Sequence, residues 1–284
     1  MLKNCLKTRD LLLGLLGVFC LTTAFAKVTL PPLFSNHMIL QRETSVAVWG
    51  KSDKQSVTII NSWDGQSTSV VVNPDGNWKT VVKTPVAGGP YTLTFDDGER
   101  LIISDILIGE VWICSGQSNM DMPVRGLSAK DQVLNKELIL ANANQPKIRL
   151  FKVSHTASAQ LEKNTPAHWQ LSDSSTVKVF SAIGFQYAQF LQEKLNVPVG
   201  IIHCAWSGTR IEPWISPESL TPFSYVRPVT DTAKISRTSP SALFNGMIGP
   251  LIGYTLKGII WYQGESNLGQ HTVYDKLMAA MVEG

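Results

Sequence analysis

The sequence predicts an α/β protein: a mostly parallel sheet flanked by helices, preceded by a smaller all-β sandwich module. Three observations carry this. Between residues 27 and 104, short β-branched runs are separated by Gly, Pro and Asp turns. From Asp105 onward, apolar strands alternate with helical stretches, the pattern of a parallel sheet with crossover helices. Within that second part the strands are continuous apolar runs, as expected where both faces of a strand are covered.

The chain of 284 residues has room for one large domain or two modest ones, and its 44% apolar content suffices for a sizeable core. The formal net charge of +3 is small. There is no basic stripe with interleaved aromatics and no acidic tail, so nucleic acid is not an expected partner. Residues 1–26 read as an export signal: Lys3, Lys7 and Arg9, then the apolar Leu11 to Leu21, then Ala24-Phe25-Ala26 as an A-x-A cleavage site. The apolar run is short for a membrane span, and bulky Phe19 disfavours a lipoprotein site at Cys20. Cleavage is expected after Ala26, leaving a periplasmic or secreted product with no membrane attachment. Cys5 and Cys20 leave with the signal. Cys114 and Cys204 remain, either as two buried thiols, the favoured reading, or as a bridge between neighbouring strands.

In the first module, residues 45–50, 56–60, 67–72, 78–82, 91–95 and 100–104 read as strands. Asn73-Pro74-Asp75-Gly76 and Asp96-Asp97-Gly98 read as hairpin turns. His37 and Trp49 are expected to pack, and the module to serve as scaffold. In the second part, Ile106 to Cys114 is a strand and Ser128 to Asn142 a helix capped by Ser128. Ile148 to Val153 is a strand and Ser181 to Leu195 an amphipathic helix. Val199 to Ala205 is a strand, and Ser241 to Tyr254 is helical, kinked or broken by Gly246, Gly249 and Pro250. Gly258 to Tyr262 is a strand, and a last helix starts at His271.

Three of these strands run into small polar clusters: Ser115-Gly-Gln-Ser-Asn119, Trp206-Ser-Gly-Thr209 and Gln263-Gly-Glu-Ser-Asn267. Ligands of open α/β sheets gather beyond the carboxyl ends of the strands. Ser118 is therefore either a nucleophile lifted clear by the turn at Gly116 or simply a helix N-cap. Taken together, the clusters offer a hydroxyl, a glycine whose bare N–H a ligand can approach, and a side-chain amide. Acyl transfer needs that set: an alcohol to attack and fixed donors for the oxyanion. Trp112, Trp206, Trp214 and Trp261 are expected around the same strand ends, one or two of them touching sugar.

Residues 109–120 (GEVWICSGQSNM), 206–214 (WSGTRIEPW) and 261–267 (WYQGESN) closely resemble the sialate O-acetylesterase family of SGNH-type carbohydrate esterases. Residues 33–42 and 241–251 are similar to its other signature stretches. The resemblance implies a three-layer α/β/α SGNH-hydrolase (flavodoxin-like) domain over 105–284 behind a β-sandwich. It implies removal of O-acetyl groups from sialic acids or another glycan, with an acetylated glycan as partner and no metal or other cofactor. By the same resemblance Ser118 is the nucleophile, and the oxyanion hole consists of the Ser118 N–H, the Gly208 N–H and the Gln263 side chain. Asn267 is a weaker candidate donor, and Asn119 and Glu265 are candidates for ordering the loop or touching substrate. Arg210 is placed to pair either with a sialic acid carboxylate or with Glu212.

Two departures from the family pattern stand out. Ser207 occupies a position where the family often has glycine, and no D-x-x-H follows the 263–267 block to supply the general base and its partner. Among the histidines, His37 belongs to the β module, His155 and His168 to an insert, and His203 to an apolar strand, leaving His271 as the only stand-in. The expectation is a chain lacking the His/Asp half of the triad and less active than one extended through that motif. The alternatives are an acetylxylan or other hemicellulose acetylesterase, and a non-catalytic glycan-binding product.

Overall fold

The computed structural model describes residues 27–284 except 228 and 230, so the export-signal reading, with Cys5 and Cys20, lies outside the described residues. The β module contains β1 (Ile39–Gln41), β2 (Ser45–Lys51), β3 (Ser56–Asn61), β4 (Ser67–Val71), β5 (Asn77–Lys83) and β6 (Gly88–Asp96). It also contains the first half of β7 (Arg100–Gly116). In β2 and β3 buried residues alternate with less buried ones, the period of a strand with one face on a core. The Asp96–Gly98 turn joins β6 to β7 as an antiparallel pair. The turn at 73–76 makes no hairpin. It carries the chain between sheets, because β4 pairs with β3 while β5 pairs with β2. β5 buries Trp78 and Val82 in the core, and β4 lays the partly buried Val70 against it.

β7 is the hub. Its first half pairs antiparallel with β6 and its middle parallel with β1. Its second half pairs parallel with both β10 (Val199–Ala205) and β11 (Gly258–Tyr262). The strand thus passes through 104/105 without a break. It bends at Asp105, whose φ of +53° is unusual for a non-glycine residue. The bend is pinned from two sides: Asp105 Oδ2 lies 2.6 Å from His37 Nδ1 and accepts from Arg149 Nη2 at 3.0 Å. His37 is therefore half-exposed and hydrogen-bonded to Asp105 rather than a packing residue, whereas Trp49 does pack, edge-on against Phe34.

The second sheet runs β11-β7-β10-β8-β9, with β8 at Ile148–Lys152 and a short antiparallel edge strand β9 at Trp169–Leu171. All seven residues of β10 are buried, as its apolar run requires. Helices α1 (Ser118–Asp121), α2 (Lys136–Ala141), α3 (Ser174–Lys178) and α4 (Ala182–Leu195) follow in chain order, then α5 (Pro217–Leu220) and α6 (His271–Glu283). Ser181 caps α4 through Gly184 N. The helix expected from Ser128 begins only at Lys136. Ser128 instead closes a local turn on Asp131, and Leu134 is exposed, so the segment offers no buried face to drive a helix. The segment expected to be helical at 241–254 is a π turn (Phe244–Ile248) and a 3-10 turn (Gly249–Leu251), with Pro250 preventing a longer helix.

One apolar core joins the two parts. It runs from Val48, Ile59, Trp78 and Phe95 of the sandwich through Met38 and Ile39 to Ile113, Ile202, Leu243 and Met247. A second core, on the opposite face of the β7/β10 sheet, holds Cys114, Ile201, Phe185 and Ala188. The cysteines therefore stay apart. Cys114 is in register with His203, and Cys204 with Ser115, so the two thiols point to opposite faces of the sheet. Both are buried and free, and burial pushes the Cys114 thiol up to about 12.

Candidate active site

The strand register defines the site. Gly116 of β7 pairs with Ala205 of β10 on one side and Tyr262 of β11 on the other. Three neighbouring parallel strands thus end on one line, and Ser118, Gly208 and Gln263 lie two, three and one residues beyond it. With strands about 4.8 Å apart, the three loops share one rim.

Glycine is obligatory at 116. Its φ is +138°, and a Cβ there would lie 2.1 Å from Tyr262 O. The chain therefore turns hard against β11 and enters α1. The N-cap position belongs to Gln117, not to Ser118. Ser118 is half-buried, and its hydroxyl bonds to no described residue.

Gln117, buried at 3% exposure, organises the third loop. Its Oε1 accepts from Gln263 Nε2 (3.0 Å) and Ser266 N (3.1 Å). Asn119 Nδ2 donates to Glu265 Oε1 at 2.7 Å, a second tie between the serine turn and this loop. Gln263 is committed elsewhere than expected. Its amide nitrogen serves Gln117 Oε1, Thr209 O (3.2 Å) and Asn267 Oδ1 (2.8 Å), and its Oε1 accepts from Tyr274. Both N–H bonds are occupied, so in this arrangement Gln263 braces the second and third loops and has no donor left for an oxyanion. Asn267 is likewise buried. It accepts from Ile211 N and donates to Glu212 Oε2 and Gln270 Oε1, which makes it a brace and not a donor to substrate. Glu212 Oε2 accepts from Asn267, and Arg210 is in no ion pair among the described residues.

The second loop is held by a residue the sequence reading passed over. Asp121, at the end of the α1 turn, accepts from both Ser207 N (3.0 Å) and Ser207 Oγ (2.8 Å). That explains the serine at a position where glycine is usual: its hydroxyl adds a second bond. On its other side Asp121 Oδ1 lies 3.4 Å from His203 Nε2 and 3.7 Å from His155 Nε2. Burial alone would raise the Asp121 carboxyl. The histidine contacts and the Ser207 bonds outweigh it and hold the group well below the usual carboxylate range. His203, 1% exposed, is pushed down by burial against the opposing pull of Asp121.

The N–H groups of Ser118 and Gly208 donate to no described residue. Gly208, at φ +73° and exposed, turns its backbone outward. Two free backbone donors and a free hydroxyl thus share the rim. Trp206 also reaches it, stacked on His155 at 4.4 Å. Trp112 packs on Tyr187 four residues before the rim, while Trp214 and Trp261 pack on each other. No histidine bonds to Ser118 among the described residues. His155 Nε2 is 3.0 Å from Ala205 O, and exposed His271 is tied to Leu268 O.

A family model described as "Carbohydrate esterase, sialic acid-specific acetylesterase" matches residues 108–284, more than half of the chain. The chain belongs to this carbohydrate esterase family. Sialate O-acetylesterases of Pongo abelii and Homo sapiens are each 32% identical to it over 88% of the chain and 51% of their own length. A crystal structure of a carbohydrate acetylesterase from Xanthomonas citri superposes with a TM-score of 0.79 at 33% identity, covering 90% of this chain and 56% of that one. The chain spans about half the length of the curated relatives it matches. The esterase-family match begins at Ile108, within β7, and takes in all three rim loops.

Asp121 and Gln117 left one sequence signal each: a polar residue beside the candidate serine with no solvent-facing helix to explain it. Their partners, Ser207 and the 263–267 loop, are distant in sequence, and only the strand register brings them together.

Proposed function

We propose that this chain is a carbohydrate O-acetylesterase acting through an acyl-enzyme on Ser118, with acetylated sialic acids or related glycans as substrates. The observation that carries the reading is the in-register ending of β10, β7 and β11, which brings a free hydroxyl and two unpaired backbone N–H groups to one rim. In the reaction the Ser118 oxygen attacks the acetyl carbonyl and its proton passes to solvent water, no described side chain bonding to that hydroxyl. The carbonyl oxygen becomes an oxyanion facing the N–H groups of Ser118 and Gly208, and each such donor contributes several kcal/mol, roughly 3, in the transition state. Collapse expels the sugar alcohol, which takes up a proton, and water then releases acetate. Asp121 and Gln117 position the donors and do not touch the ester. The proposal extends to an exported product, on the export signal read from residues 1–26. The test is labelling with a fluorophosphonate followed by peptide mass spectrometry. Modification of the peptide carrying Ser118, absent in S118A, is expected; modification elsewhere, or none, contradicts the assignment.

A further inference from the structure

Gly208 is exposed. A Cβ built there would have only two atoms within 4 Å, both from the Arg237 guanidinium: Nη2 at 3.7 Å and Nε at 4.0 Å. Arg237 reaches this point from a turn that is itself fixed. Ser239 N donates to Ser236 O, Ser236 N donates to Ser239 Oγ, each at 3.0 Å, and Ser239 is buried. The Arg237 side chain is exposed and forms no ion pair among the described residues. The acids of the rim loops are already engaged: Asp121 by Ser207, Glu212 by Asn267 and Glu265 by Asn119. Arg210, the cation singled out from the sequence, has no atom within 4 Å of the same point.

A guanidinium with no ion-pair partner among the described residues, close to a glycine whose N–H is free, is a place where an anion is stabilised. A planar fork suits a carboxylate, which it can hold through two parallel hydrogen bonds. We infer that Arg237 is the specificity-determining residue of the site: it holds a carboxylate on the same sugar whose acetyl group enters beside Gly208. The preferred substrate is accordingly an acetylated acidic sugar, not a neutral one. This rests on the esterase reading for the acetyl group, while the carboxylate contact itself is measurable by binding alone.

The test is equilibrium binding of N-acetylneuraminic acid and of its methyl ester to the full chain, by calorimetry or ligand-observed NMR. Wild-type protein is expected to bind the acid roughly tenfold more tightly than the ester, in line with a charge-assisted pair at a half-open site. The preference should shrink in about 0.5 M salt. In R237Q it should fall close to one, with an unchanged melting temperature because the side chain is exposed. R237K, which keeps the charge but loses the fork, should retain part of it. Equal binding of acid and ester by wild type, or a preference that survives R237Q, overturns the assignment. Fluorophosphonate labelling separates this from the esterase reading. Labelling at Ser118 without a carboxylate preference removes Arg237 alone. A preference that depends on Arg237, without labelling, supports Arg237 and removes the acyl-enzyme.

Discussion

The cluster of Asp121, His203 and His155 shows how one buried carboxylate shapes a neighbouring loop. Asp121 accepts both Ser207 bonds at Oδ2, which are stronger to a carboxylate, and His203 sits beside it with neither ring nitrogen hydrogen-bonded. The folded pKa of His203 is below its ordinary value, so the unfolded chain takes up a proton first as pH falls through about 6.5. Its stabilising contribution is therefore present above that pH and lost below it. Asp121, also depressed, adds a second loss only as pH falls below about 4. Urea unfolding should show lower stability at pH 5.5 than at pH 7, with a shallower pH dependence in H203Q; identical slopes would exclude the histidine. Residue roles were only partly legible beforehand. Ser118 and Gly208 announce themselves through local turn chemistry. Gln263 looks like a free donor until the fold brings Thr209, Gln117 and Asn267 around it.

At the scale of elements, β7 does two jobs, and its bend at Asp105 separates them. Two residues with positive φ, His37 and Asp105, face each other across the bend, and Arg149, 5% exposed, closes the triangle. Such backbone costs of order 1–3 kcal/mol per residue and persists where its surroundings enforce it. D105A strands a buried guanidinium and places alanine in a left-handed conformation. It should lose about 3 kcal/mol in urea unfolding, and D105N, which tolerates that backbone, clearly less; equal losses would mean the bend itself costs little. β8, β10 and β11 were readable because apolar runs bounded by turn residues are local signals, whereas the three-residue edge strand β9 was too short to give one. The continuity of β7 was not, since the change of pattern at 105 is one of covering layers and not of backbone. The sheet switch at 73–76 escaped for a related reason: a tight turn reads the same whether its strands pair or face each other.

For the whole molecule, the shared core matters most. Trp169 Nε1 donates to Leu33 O and Tyr254 OH to Ile39 O, so the site-bearing sheet leans on the first module through buried bonds as well as apolar contact. Chemical denaturation should give a single transition whether followed by tryptophan fluorescence or by far-ultraviolet circular dichroism, and separated transitions would show two independent units. The fold class was visible in the alternation of strands and helices. The joint core was not, because apolar residues near 34–40 and 243–254 give no sign in sequence of which sheet they will cover. The central claim remains the convergence at the rim. Acetate release from an O-acetylated sialic acid by wild type and S118A, compared at equal folded concentration, tests it most directly. A lower rate in S118A than in wild type is predicted, and equal rates in the two proteins would contradict the account.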